Sequence, residues 1–225
     1  MLNSLELTGR AATHVQAMAQ VSCTLHERAG RALFRMREQA RKAGIDLTVV
    51  SGFRDFNRQV AIWTAKFTGG RPLLDRSGVQ IPRAGLDAAA LMEAILIWSA
   101  LPGASRHHWG TDIDVVDASC LPDGTPARLV PHEFAAGGCF ARLDHWLRDN
   151  MRRFGFFRPY SSDRGGVQPE PWHLSYGPVS VPALEALSVE VLREAILGTD
   201  MPGRDAVLER LPELYDRYVR AVDQP

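Results

Sequence analysis

Residues 105–116 decide how this chain is organised, and they read SRHHWGTDIDVV. The first part ends in a glycine, Gly110, and predicts a turn, whereas DIDVV is short and apolar enough to predict a strand. Side chains two positions apart on a strand point to the same side, so Asp112 and Asp114 should share one face of a sheet. His107 precedes that strand. We therefore expect a turn to deliver a histidine next to two strand carboxylates.

Helices and further strands are expected on both sides of this stretch. Apolar residues at helical spacing from Ala29 to Ala40 predict a helix that ends near Gly44, and the following IDLTVV, residues 45–50, predicts a buried strand. The same reasoning predicts helices over residues 55–67, 86–100 and 143–154, and a third strand over EPWHLSY, residues 170–176. Together these elements predict an α+β fold, with a small, largely antiparallel sheet surrounded by helices.

The length of the chain is compatible with one domain. We expect that domain to cover residues 1–225, because 225 residues can bury one substantial core. Its motif-bearing core should span residues 28–180, and residues 181–225 should form a C-terminal helical extension. Apolar residues from Val207 to Val222 predict a packed helical stripe that is interrupted or restarted at Pro212. Residues 120–138, rich in proline and glycine, predict a loop.

Composition excludes several classes of partner. Lys plus Arg and Asp plus Glu both number 26, so no overall field draws the chain toward nucleic acid. No segment approaches the ~18 apolar residues of a membrane span. The N-terminal residues lack the features of a secretory signal, so we expect a cytoplasmic location, or a periplasmic or extracellular one if a leader precedes Met1. The three cysteines, Cys23, Cys120 and Cys139, form no close metal-ligand pair and are expected to be buried.

Polar residues that can carry chemistry remain after the common catalytic motifs are excluded. The chain has no H-E-x-x-H helix, no G-x-S-x-G turn, no Walker phosphate loop and no G-x-G-x-x-G. A catalytic zinc ion needs three nitrogen or oxygen ligands and an open fourth position, and His107, Asp114 and His173 would supply that set. Glu170 lies three residues before His173 and is suited to act as a base toward water, while Arg54 offers a positive charge for an oxyanion.

These segments resemble the three signatures of the LAS metallopeptidases, and of the VanY-type D-alanyl-D-alanine carboxypeptidases among them. The pattern S-x-H-x-x-G-x-A-x-D is matched at Ser105, His107, Gly110 and Asp114. The pattern E-x-x-H is matched by Glu170 and His173 within EPWH, which is especially VanY-like. The upstream pattern S-G-Y-R-x-x-x-x-Q is matched at Ser51, Gly52, Arg54 and Gln59. The resemblance runs in register over residues 47–176, more than half of the chain.

The resemblance implies a function as well as a fold. It implies a carboxypeptidase that removes a C-terminal D-alanine from peptidoglycan stem peptides, with either D,D or L,D specificity. It implies one zinc ion on the three ligands already named, and catalytic roles for Glu170 and Arg54. It assigns Ser105 and Gln59 to the substrate, although a structural role suits each of them equally. The alternatives are a peptidoglycan endopeptidase of the lytic type and a non-catalytic zinc-binding recognition module.

Two residues depart from the family pattern. Phe53 stands where the family usually has tyrosine, which removes one hydroxyl from the region of the substrate. Asp112 replaces a small alanine two residues before Asp114. Three roles are open to Asp112: a hydrogen-bond partner behind a ligand histidine, a contact for a cationic group of the substrate, or a surface carboxylate.

Overall fold

A four-stranded antiparallel sheet lies at the centre of the protein. The computed structural model describes residues 1–122 and 125–225, so positions 123 and 124 of the loop expected over 120–138 lie outside the described residues. The strands are β1 (Val15–Met18), β2 (Cys23–His26), β3 (Leu47–Ser51), β4 (Leu73–Leu74), β5 (Gln80–Ile81), β6 (Asp112–Asp117), β7 (Phe156–Phe157) and β8 (His173–Tyr176). The central sheet has the order β3-β6-β8-β7, and all of its pairs are antiparallel. This confirms the predicted fold class.

Helices surround the sheet. In chain order they are α1 (Ser4–Leu7), α2 (Glu27–Lys42), α3 (Phe56–Thr68), α4 (Ala88–Leu96), α5 (Pro131–Phe134), α6 (Ala141–Asn150), α7 (Gly177–Ala186), α8 (Val189–Leu197), α9 (Arg204–Glu209) and α10 (Leu211–Tyr215). The buried side of α2, with Leu33 and Met36, packs with α6 and the apolar residues of β6 in one hydrophobic cluster. The period of about 3.6 residues that predicted α2 is thus the period of its buried face.

A second hydrophobic cluster joins the C-terminal helices to the rest of the chain. Buried residues of α8, α9 and α10 pack with Trp63 of α3 and with the apolar side of α4. The indole nitrogen of Trp63 donates a hydrogen bond to the carbonyl oxygen of Pro202, 2.9 Å away. The C-terminal helices therefore cover α3, the helix that follows Arg54 in the sequence. Among the described residues, no helix is both long enough and apolar enough to cross a membrane.

The structure corrects several details of the sequence predictions. The third strand begins at His173 rather than Glu170, because Glu170–Trp172 form a turn that includes a proline, and proline has no N–H to donate to a neighbouring strand. The hairpins β1–β2 and β4–β5 were not predicted. Cys120 and Cys139 are exposed and Cys23 is half-buried, so the prediction that all three are buried was wrong. Cys120 ends a short 3₁₀ helix, Ala118–Cys120, and Cys139 lies in a turn.

The predicted C-terminal helix is divided. α9 ends at Glu209 and α10 begins at Leu211, with Pro212 in its first turn. Proline is tolerated in the first turn of a helix, where its missing N–H would have no helical partner. Pro212 therefore restarts the helix, which is one of the two outcomes predicted from the sequence. The helix expected over 86–100 is shorter, Ala88–Leu96, and starts where the Asp87 side chain accepts a hydrogen bond from Ala90 N.

Candidate metal centre and active site

The register of the central sheet brings two of the predicted ligands together. β6 lies between β3 and β8, and Asp114 on β6 is directly opposite His173 on β8. Directly opposed residues of antiparallel strands have Cβ atoms about 4.5–5.5 Å apart. Asp112 is opposite Ser175 in the same register. Residues 59 positions apart in the sequence, Asp114 and His173, thus become neighbours through strand pairing alone.

A short 3₁₀ turn, Arg106–Trp109, carries the third predicted ligand, His107. The turn ends at Gly110, whose φ is 64°. A Cβ atom at this position would lie only 2.3 Å from Val15 Cγ1 and 2.7 Å from the backbone nitrogen of His26. Only glycine fits this backbone conformation in such a close approach. Gly110 therefore lets the turn pass directly against the β1–β2 hairpin, which fixes the position of His107.

The three predicted ligands form one buried cluster. One ligand atom from each of His107, Asp114 and His173 lies within 4.8 Å of the others. His107 Nε2 is 3.5 Å from Asp114 Oδ2, and His173 Nδ1 is 3.2 Å from Asp114 Oδ1. Asp114 Oδ1 is buried and accepts no well-formed hydrogen bond from the described residues. Two imidazole nitrogens and a carboxylate that converge in this way fit a zinc ion with three protein ligands.

Hydrogen bonds at the far side of each ring select the ligand nitrogen. His107 Nδ1 donates to the carbonyl oxygen of Gly52 at 2.9 Å, which leaves the lone pair on Nε2 facing Asp114. His173 Nε2 donates to Asp112 Oδ1 at 3.0 Å, which leaves Nδ1 facing Asp114. Metal-bound histidines usually donate their other N–H to a carbonyl or carboxylate in this manner. Both rings are therefore oriented with the nitrogen that a metal would bind facing Asp114.

The local field favours a cation beside His173. Burial lowers the pKa of His107 to about 3, so this imidazole is neutral. Burial acts in the same direction on His173, but the adjacent carboxylates of Asp112, Asp114 and Glu170 outweigh it and raise the pKa of His173 well above its ordinary value. Groups that stabilise a proton on Nδ1 also favour a divalent cation there, and metal binding displaces that proton.

Glu170 lies next to the cluster but is held by different contacts. Its Oε2 is 3.3 Å from His173 Nδ1. Its backbone nitrogen donates to the carbonyl oxygen of Tyr160 at 2.9 Å, and the Tyr160 ring lies edge-on to His173 with centroids 5.1 Å apart. Burial raises the pKa of Glu170, with His173 and Arg54 acting in the opposite direction. Glu170 is thus a buried carboxylate within reach of the metal position, as a general base must be.

Arg54 is fixed by neighbours from the same sequence motif. Its Nη1 donates to Gln59 Oε1 at 2.9 Å and its Nη2 donates to Ser51 Oγ at 3.1 Å. Gln59 is completely buried, and its amide nitrogen donates to the carbonyl oxygen of Ala100 at 2.8 Å. Gln59 thus holds the guanidinium of Arg54 in place, and this contact accounts for the spacing between the two residues in the sequence. The expected contact of Gln59 with the substrate stays a prediction.

Ser105 and His108 lie on either side of the ligand turn. Ser105 is buried, and its side chain caps no backbone N–H of the turn, so its expected contact with the substrate stays a prediction. His108 Nδ1 donates to the carbonyl oxygen of Arg54, and His108 Nε2 accepts from the backbone nitrogen of Gly103. His108 therefore joins the Arg54 segment to the connection between α4 and β6, and it does not face the metal cluster with a free nitrogen.

Lys66 was missed by the sequence analysis. It lies seven residues after Gln59 on α3, so both side chains lie on the same side of the helix. Burial lowers the pKa of Lys66 to about 8, and the nearby charges include Glu170, Arg71 and Arg54. Only two of the 26 Lys and Arg residues are lysines, and the other, Lys42, is exposed, so the rarity of lysine does not by itself single out Lys66.

Known proteins resemble this chain in both sequence and structure. The family model VanY: D-alanyl-D-alanine carboxypeptidase matches residues 22–179. An uncharacterized protein of Haemophilus influenzae is 36% identical over 121 residues, which cover 53% of this chain and 92% of that protein. The D-alanyl-D-alanine carboxypeptidase of Enterococcus faecalis is 26% identical over 142 residues, 62% of this chain and 43% of that protein. The chain thus spans less than half of the enterococcal relative.

A solved structure agrees with these sequence matches. It is that of a mutant of the vancomycin resistance D,D-pentapeptidase VanY from the VanB-type resistance cassette, in complex with Zn(II). Its sequence is 25% identical to this one, and the match covers 74% of this chain and 81% of the VanY chain, with a TM-score of 0.50. The family model extends over more than two thirds of the 225 residues and includes all three segments of the site. The chain therefore belongs to the VanY D-alanyl-D-alanine carboxypeptidase family.

Proposed function

We propose that this protein is a zinc-dependent carboxypeptidase that removes a C-terminal D-alanine from peptidoglycan stem peptides. The observation that carries the proposal is the buried set of His107, Asp114 and His173 with Glu170 beside it. Membership of the VanY family supports the same reaction. The intact pair of Glu170 and Arg54 supports an enzyme rather than a binding module, because a module that only recognises its ligand needs no general base.

The chain's own residues would divide the reaction between them. A zinc ion on the three ligands supplies a Lewis acid that polarises a carbonyl and lowers the pKa of water toward about 7. Glu170 takes a proton from the attacking water on its carboxylate and later delivers it to the leaving amine. Arg54 supplies a fixed positive charge for the oxyanion, with its guanidinium held in place by Gln59 and Ser51.

A panel of stem peptides tests this proposal directly. The purified zinc-loaded protein should release free D-alanine from a tetrapeptide or a pentapeptide that ends in D-Ala, and the ratio of kcat/KM values assigns L,D or D,D specificity. A peptide of the same length that ends in L-alanine is the matched control and should stay intact. Cleavage of cross-linked peptides alone would indicate the endopeptidase alternative. A protein that binds zinc but hydrolyses no peptide in the panel would contradict the proposed reaction.

Lys66 lies on the Gln59 side of α3, near the charges of Glu170 and Arg54. From this position we further infer that Lys66 binds a carboxylate of the substrate, and this predicts a pH dependence. The pKa of Lys66 is lowered to about 8, so the ammonium is present below that pH and is lost as the pH rises through it. KM should therefore rise above about pH 8, with a smaller change in kcat. Lys66→Arg should remove this rise, because the guanidinium stays protonated. Lys66→Met should raise KM below about pH 8 and change it little above that pH, whereas the same change at the exposed Lys42 should have no effect. An unchanged KM in Lys66→Met would contradict the inference.

A further inference from the structure

Asp112 is the departure from the family pattern that sequence alone could not explain. It lies on β6, two residues from Asp114, and is completely buried. A surface carboxylate is excluded by this burial. A charged carboxylate without access to water is costly unless its oxygens are fully hydrogen-bonded and its charge is balanced. The contacts of Asp112 therefore indicate what the residue does.

Four donors surround the Asp112 carboxylate. Oδ1 accepts from Arg106 Nε at 2.7 Å and from His173 Nε2 at 3.0 Å. Oδ2 accepts from Thr111 Oγ1 at 2.6 Å and from Ser175 Oγ at 3.0 Å. An ionised carboxylate has about four acceptor positions, so all of them are occupied within the protein. Asp112 has no acceptor position left for a cationic group of the substrate.

Arg106 supplies the charge that balances Asp112. The arginine is itself buried, with 4% of its surface exposed, and its Nη2 donates to Ser175 Oγ at 2.7 Å. The centre of its guanidinium lies 4.8 Å from the centroid of the Trp109 ring. Arg106 and Asp112 thus form an ion pair inside the protein, on the side of His173 that faces away from Asp114. Such a pair costs stability when one partner is removed, but often little when both are replaced by apolar groups.

The pair acts on one ligand only. Among the described residues, Asp112 is the hydrogen-bond acceptor of His173 Nε2. Without that acceptor, the neutral imidazole could carry its proton on either nitrogen, and only one of the two tautomers leaves Nδ1 free for a metal. His107 does not depend on Asp112, because its Nδ1 donates to the backbone oxygen of Gly52.

We propose that the buried pair of Asp112 and Arg106 positions the metal ligand His173. Asp112 holds the Nε2–H of His173 so that Nδ1 faces the metal, and Arg106 holds Asp112 in its place and balances its charge. This inference rests on the metal site of the proposed function. Neither residue touches the substrate or the metal, so both are positioning residues rather than catalytic ones.

A double-mutant cycle separates positioning from plain stability. The variants are Asp112→Ala, Arg106→Met and the double replacement, and each is assayed for zinc affinity by chelator competition and for the Tm of the metal-free protein. Asp112→Ala should weaken zinc binding by about 10- to 100-fold, the usual effect of removing a partner behind a metal-bound histidine. Arg106→Met and Asp112→Ala should each lower Tm, because each leaves one buried charge without its counter-charge. The double variant should regain Tm relative to Arg106→Met, yet bind zinc as weakly as Asp112→Ala.

Two further variants sharpen the test. Asp112→Asn keeps an acceptor oxygen for His173 and should recover part of the zinc affinity lost in Asp112→Ala. Asp163→Ala breaks an exposed ion pair with Arg76, 3.2 Å long, and should leave zinc affinity unchanged. If Asp112→Ala does not fold, the double variant, which buries neither charge, gives the same zinc comparison.

The inference is overturned if the double variant or Asp112→Ala binds zinc with wild-type affinity. It is also overturned if the alanine and asparagine variants lose the same affinity, because then the hydrogen bond to His173 does not matter. Zinc affinity is measured here without any substrate. A protein that shows this zinc pattern but hydrolyses no stem peptide would contradict the proposed function and support the positioning role.

Discussion

Replacing Glu170 with glutamine is expected to reduce kcat by a factor on the order of 10² or more while zinc stays bound, the scale of a lost general base. The carboxylate Oε2 lies 3.3 Å from His173 Nδ1, inside the buried cluster. Glutamine has nearly the same shape and can keep the contacts of the loop, but it cannot accept and return a proton. The comparison of kcat between wild type and Glu170→Gln, on the stem peptide cleaved fastest, measures this effect.

Controls for this variant separate proton transfer from damage to the site. Zinc content and Tm should match the wild type, because Glu170 is not one of the three proposed ligands. Glu209, an exposed glutamate on α9, offers a matched substitution to glutamine that should leave kcat unchanged. A Glu170→Gln enzyme with near wild-type kcat would show that another group moves the proton, even if the metal site is correct.

Removing any one of the three metal ligands should abolish both zinc binding and activity. His107→Ala, Asp114→Ala and His173→Ala each leave two protein ligands where a catalytic zinc site needs three. Loss of a residue that only hydrogen-bonds to a metal ligand lowers metal affinity by up to roughly 100-fold. Loss of a ligand itself should lower zinc affinity by more than that. Equilibrium dialysis followed by elemental analysis measures the occupancy of each variant, and about one zinc ion per chain is expected for the wild type.

Histidine variants outside the cluster provide the control. His145 is an exposed residue of α6, and His145→Ala should keep full occupancy and activity. His108 is a sharper comparison, because it neighbours His107 in the sequence but hydrogen-bonds to Arg54 and Gly103. His108→Asn should therefore affect Tm more than zinc affinity. Full zinc occupancy in all three ligand variants would reject this ligand set.

The sequence predicted those elements whose signals are local. The helical spacing of Ala29–Ala40 predicted α2, and the short apolar runs predicted β3 and β6, because each pattern reflects which side chains face a core. The hairpin β4–β5 was missed because its strands have only two residues each, too few to show an alternating pattern. The start of β8 was misplaced because strand propensity does not reveal where pairing begins.

The sequence by itself determined the candidate ligands, the base and the arginine, because the types and spacing of these residues are fixed along the chain. What Asp112 does was decided only by the tertiary structure. Its role depends on His173, 61 residues away, and on the register that sets β6 against β8. The approach of Lys66 to the charges of Glu170 and Arg54 likewise depends on how α3 packs, which its own residues do not specify. Spacing within a motif is a local property, whereas contacts between distant segments exist only after strands pair and helices pack around one core.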